Sequence, residues 1–88
     1  MADLHIASCV GFSRPEAMPG IVRAIVGTAL AEVPRTDPSG RMVILIERRS
    51  SREVVDAIDA IRALDGVLAV HLAYQHSESE SELQEPQP

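Results

Sequence analysis

The sequence predicts an α+β domain with a four-stranded antiparallel sheet and two helices on one of its faces. Three observations lead there. Two stretches with helical apolar spacing alternate with four extended stretches, in the order strand, helix, strand, strand, helix, strand. A single strong turn signal, Asp37-Pro38-Ser39-Gly40, joins the middle two strands. A length of 88 residues leaves room for one small domain.

The first strand runs from Leu4 to Phe12, where Leu4, Ile6, Val10 and Phe12 alternate with His5, Ala7, Cys9 and Gly11. Ser13-Arg14-Pro15-Glu16 is a helix-start signal. Met18, Ile21, Val22, Ile25 and Val26 follow at helical spacing, with Pro19 in the first turn or delaying the start and Gly27-Thr28 ending the helix. Ala31 to Thr36 is extended and weakly apolar, as suits an edge strand with Pro34 facing outward. After the turn, Met42 to Ile46 is apolar on both alternations, which marks a central strand. Ser50 and Glu53 form a capping box. Val54, Val55, Ile58, Ile61 and Leu64 make the apolar stripe of the second helix, and Asp65-Gly66 stops it. Val67 to Gln75 is the last strand. Residues 1–76 are read as the domain and 77–88, SESESELQEPQP, as a disordered acidic tail.

With right-handed crossovers this order gives the ferredoxin-like split βαββαβ arrangement, the first and third strands central. One sheet face is then uncovered. Placing Ile6, Val10, Ile44, Ile46, Val70 and Leu72 under the helices leaves Ala7, Cys9, Gly11, Val43, Leu45, Ala69, His71 and Ala73 on the open face. A register slip of one residue reverses that sidedness. The expected open surface is a shallow trough of small apolar side chains, able to admit an amphipathic helix.

Composition narrows the chemistry. Hydrophobic residues make up 45% and aromatics only 2% (Phe12 and Tyr74), so Ile, Val, Leu, Ala and Met must build the core. All eight basic residues are Arg, and the net charge is −5. Four acids, Glu78, Glu80, Glu82 and Glu85, lie beyond residue 76; without them eight Arg face nine acids, a balance of −1. A near-neutral body with almost no aromatics argues against a nucleic-acid partner. No apolar run approaches the roughly 20 residues of a membrane helix, so membrane insertion is not expected, and no secretory leader pattern is present. One cysteine excludes an internal disulfide, and these absences favour the cytoplasm.

Catalytic and metal-binding groups are sparse. His5, His71 and His76 lack a carboxylate or cysteine at ligand spacing, so no metal or other cofactor is expected. Cys9 lies mid-strand with no basic neighbour to activate it and reads as a packing residue. The fold's heavy-metal carriers need a cysteine pair in the first loop, and its acylphosphatases need an Asn; this chain has neither. An enzyme is not expected. Arg48-Arg49 reads as a solvated turn.

Four segments carry a family resemblance: Ile6-Ala7-Ser8-Cys9-Val10, Ser13-Arg14-Pro15-Glu16, Asp37-Pro38-Ser39-Gly40-Arg41-Met42-Val43, and above all Leu64-Asp65-Gly66-Val67-Leu68-Ala69-Val70-His71-Leu72-Ala73-Tyr74-Gln75-His76. In order and spacing they resemble the NapD family over about residues 4–78. The chain departs from the family's more usual Pro-Gly turn at Gly27-Thr28-Ala29-Leu30. The resemblance implies a cytoplasmic chaperone that binds the twin-arginine signal peptide of the nitrate reductase catalytic subunit NapA, delaying export until cofactor insertion is complete. It implies a helical peptide lying on the sheet side. The corresponding site set is Ala7, Cys9, Gly11, Val43, Leu45, Glu47, Ala69, His71 and Ala73, with Glu47 the first candidate to meet the twin arginines. The alternative is a small regulatory domain of the same fold that binds an effector or dimerises through its sheet, and weak homo-oligomer formation is compatible with either reading.

Overall fold

Strand β1 (Asp3–Ser13) leads through a 3-10 turn (Pro15–Ala17) into helix α1 (Met18–Gly27), followed by β2 (Glu32–Thr36), β3 (Arg41–Arg48), α2 (Ser51–Arg62) and β4 (Val67–Ser79). The computed structural model describes residues 3–79. The sheet is antiparallel, in the order β2-β3-β1-β4, so β1 and β3 are central as expected. Ser77 to Ser79, expected in the tail, continue β4, where Asp3 pairs with Ser79. The remainder of the expected tail, 80–88, lies outside the described residues.

Local chemistry sets the element ends. Pro15 and Pro19 both occupy first-turn positions, so the 3-10 turn precedes the α-helix and the true start falls at Met18. At the other end, Leu30 N–H donates to Ile25 C=O (3.0 Å) and Ala29 N–H to Val26 C=O (3.1 Å), a Schellman closure. Ala29 holds its left-handed position at φ 57, which glycine adopts without steric cost. The Arg48 guanidinium donates to the carbonyls of Ala29 (3.1 Å) and Leu30 (2.6 Å). Arg48, expected in a solvated turn, instead ties the end of α1 to β3 and thereby fixes where β2 begins. Ser50 caps α2, accepting from Glu53 N–H (3.2 Å) while its hydroxyl donates to the Glu53 carboxylate (3.0 Å). In the β2–β3 turn, Gly40 N–H donates to Asp37 C=O (2.9 Å). The Ser39 hydroxyl, and after it the Ser39 N–H, donate to the Asp37 carboxylate and hold its pKa below the ordinary value.

Both helices pack on one sheet face. Ile21 and Ile25 of α1 and Val54, Ala57, Ile58 and Ile61 of α2 meet Ala7, Cys9, Met42, Ile44, Ile46 and Val70 of the sheet. This corrects the expected sidedness of β1. Ala7 and Cys9 are 0% exposed and Gly11 is buried, all on the helix side, while Ile6 and Val10 face away from the helices. The reason is volume. Across the covered face Ala7 pairs with Ile46, Cys9 with Ile44 and Gly11 with Met42, so each small β1 residue lies opposite a large β3 one. A Cβ on Gly11 would lie 2.9 Å from Ile44 Cδ1 and 3.1 Å from Met42 Cγ. Two large residues at each pair would hold the helices off the sheet. The sidedness expected for β3 holds: Ile44 and Ile46 are covered and Val43 and Leu45 are not. On β4 the register breaks twice, leaving Leu68 and Ala73 as extra residues without a β1 partner. Leu72 falls opposite Cys9, on the helix side as expected but half exposed, and beyond Ala73 the alternation flips.

Burial raises the Cys9 thiol pKa, an effect that Arg62 partly offsets, so the thiol is neutral as well as enclosed. In the native protein Cys9 should therefore resist a thiol-reactive disulfide reagent that modifies it readily in denaturant, while a cysteine placed at Val10 should react at once. Gly40→Ala should destabilise the domain by about 3 kcal/mol in denaturant unfolding, since Gly40 lies at φ 100 and a Cβ there would run into the Ser13 carbonyl oxygen. Ala29→Gly should act in the opposite direction, raising stability by about 1 kcal/mol.

Candidate functional site

The uncovered face is built from four rows that run across the strands, each set by the register. Glu47, Ile6 and His76 form the first row, and Glu32, Leu45, Ser8 and Tyr74 the second. Arg35, Val43, Val10 and His71 form the third, and Arg41, Phe12 and Ala69 the fourth. The centre is aliphatic: Ile6, Val10, Val43 and Leu45 are half-buried by their neighbours, with no element among the described residues packed above them. Phe12 (38% exposed) and Tyr74 (59%) flank them on the β1–β4 side. His71 lies edge-on to Phe12, ring centres 6.0 Å apart, and the His76 ring stacks on Tyr74 at 6.3 Å. The face is thus apolar, as expected, but built of large side chains rather than small ones.

Of the residues expected on this face, Val43, Leu45, Glu47, Ala69 and His71 are brought together on it. Ala7, Cys9 and Gly11 are not, being buried beneath the helices. Ala73 is exposed, but as the extra residue of a bulge it stands outside the rows. The residues missed are Ile6, Val10, Phe12, Tyr74 and Glu32. The first three were visible as one alternation of β1, but both alternations of a mostly apolar strand are candidates for burial. Tyr74 reaches the face only because the bulge at Ala73 flips the side-chain alternation. Glu32 depends on the register of a five-residue edge strand that is itself irregular between Glu32 and Arg35.

Glu32 and Glu47 border a hollow of about 340 Å³ at one end of the face, which Leu45, Val26, Ala31 and Arg48 also line, the Arg48 guanidinium being engaged by the Ala29 and Leu30 carbonyls. Both carboxylates are exposed, and neither side chain makes a hydrogen bond or an ion pair among the described residues. Such a pair can accept the fork of a guanidinium while the hollow takes its aliphatic stem. The exposed ion pairs of the domain, Arg52–Asp56 (3.5 Å) and Arg62–Asp59 (3.8 Å), lie on α2, away from this face. Among the described residues no group of three or more His, Cys, Asp or Glu is placed to hold a metal ion. No helix among them is long and apolar enough to cross a membrane. What the arrangement can do chemically is bind an apolar segment that carries cationic side chains at one end.

The NapD protein family model matches residues 4–79. Chaperone NapD of Escherichia coli (strain K12) is 30% identical over 79 residues, covering 89% of this chain and 91% of that protein. Chaperone NapD of Escherichia coli O157:H7 and of Shigella flexneri match at the same identity and coverage. The solution structure of the E. coli Tat proofreading chaperone protein NapD superposes with a TM-score of 0.76 at 28% identity, covering 97% of this chain and 90% of that one. With the match spanning nearly the whole described fold, the chain belongs to the NapD family of non-enzymatic chaperones.

Proposed function

We propose that the open face binds the twin-arginine signal peptide of a NapA-type nitrate reductase catalytic subunit as a helix, and that it does so in the cytoplasm, delaying export until the subunit's cofactors are in place. The observation that carries this reading is the uncovered aliphatic centre bordered by Glu32 and Glu47. A Tat leader offers the complementary chemistry, two adjacent guanidinium groups followed by an apolar stretch. Family membership and the description of the E. coli relative as a Tat proofreading chaperone support the same partner.

The energetics suit reversible holding. Covering roughly 500 Å² of apolar surface contributes about 12 kcal/mol gross. Ordering the peptide and restricting its free motion takes back most of that, which places affinity between micromolar and nanomolar. The rim carboxylates add bidentate recognition that distinguishes arginine from lysine.

Leu45→Arg puts a cation in the aliphatic centre while leaving the helix-side core untouched. Calorimetry with a synthetic NapA leader should show at least a hundredfold weaker binding, about 3 kcal/mol, with an unchanged thermal midpoint. Unchanged affinity in the folded variant would mean that the peptide binds elsewhere. Replacing Glu32 and Glu47 together by Gln should cost about tenfold with the twin-arginine peptide and much less with its twin-lysine version.

A further inference from the structure

The charges of the open face are sorted by sign along its length. Glu47 and Glu32 occupy the first two rows, and Arg35 and Arg41 the last two. All four are exposed, and none has a side-chain hydrogen bond or ion pair among the described residues. At the basic end Arg41 exerts a minor pull on the Asp37 carboxylate, which is engaged by Ser39. Between the charged ends only apolar residues and Ser8 line the central strands β1 and β3.

Resting on the signal-peptide reading, we propose that this face is a two-ended helix clamp that imposes one direction on its peptide, with the arginine-bearing N-terminus at Glu32 and Glu47 and the helix C-terminus at Arg35 and Arg41. A helix carries about half a positive charge at its N-terminus and half a negative charge at its C-terminus, where the last carbonyls lack partners within the helix. The acidic end therefore complements the N-terminal half-charge as well as the guanidinium groups. Arg35 and Arg41 supply donors for the last-turn carbonyls. A helix laid the other way would set its arginines against Arg35 and Arg41 and its bare carbonyls against two carboxylates.

The clamp also has a length. Arg41 and Glu47 are six residues apart on one strand, about 20 Å at strand rise. That distance is spanned by about 13 helical residues. A helix this short is marginal alone in water, so capping at both ends shifts the peptide from coil to helix as it docks. The class of ligand selected is an apolar segment of about 13 residues, cationic at its start and free of basic residues at its end.

Paramagnetic relaxation on the full chain tests the direction. A synthetic leader with a nitroxide just before its twin arginines should broaden the amides of Ile6, Ile46 and Glu47 and spare those of Phe12 and Arg41. A second leader labelled about 13 residues further on should give the reverse pattern. If the peptide perturbs the face but the two labels give swapped or identical patterns, the directional clamp is wrong and the binding face stands. If the perturbed amides lie off this face, the binding reading and the clamp fail together. Arg35→Gln with Arg41→Gln should weaken binding about fivefold and lower the helicity induced in the bound peptide. Unchanged affinity and helicity in that variant would remove the basic end from the mechanism.

Discussion

Small side chains on β1 meeting large ones on β3 beneath the helices are the constraint from which the rest of the structure follows. Ala7, Cys9 and Gly11 give up volume so that Met42, Ile44 and Ile46 and the isoleucines of α1 and α2 can close over them. Because strand side chains alternate, that choice forces Ile6, Val10 and Phe12 to the opposite face. Among the described residues no element covers them there. The apolar open face is thus a direct consequence of how the core is packed, and changing one face of β1 changes the other.

The edges of the face depend on less regular features. Arg48 holds the end of α1 through the Ala29 and Leu30 carbonyls, and so sets where the chain enters β2 and where Glu32 lands. On the far side the bulge at Ala73 turns Tyr74 and His76 onto the face. Arg62 donates to the Val70 carbonyl (2.9 Å) and occupies one acceptor of the β4 edge. A strand edge with exposed Leu68 and Leu72 is otherwise a template for pairing, and a side chain bonded there makes strand addition less favourable. The open face and the strand edge therefore differ: the first has no covering element among the described residues, the second is partly closed.

The order of elements, the central position of β1 and β3, the Asp37–Gly40 turn and the Ser50 cap were all legible in the residues, because each rests on local chemistry: periodicity, a proline, a glycine, a side chain bonding to nearby backbone. Part of the open face was legible too. Val43 and Leu45 could be placed because β3 has Ile44 and Ile46 on its other alternation, a clear choice for the larger volume. On β1 the same rule pointed the wrong way, since the larger set faces outward.

By itself the sequence determined the fold class and the existence of an uncovered apolar sheet face, since helical and strand periods and turn residues act over a few positions, and the resemblance of four segments pointed to the family. Only the tertiary structure decided which alternation of β1 is covered, where Tyr74 points and that Glu32 stands near Glu47. Those three depend on packing volume, on a bulge and on the register of an edge strand. Each is fixed by a neighbour distant in the chain, whose position no local pattern encodes.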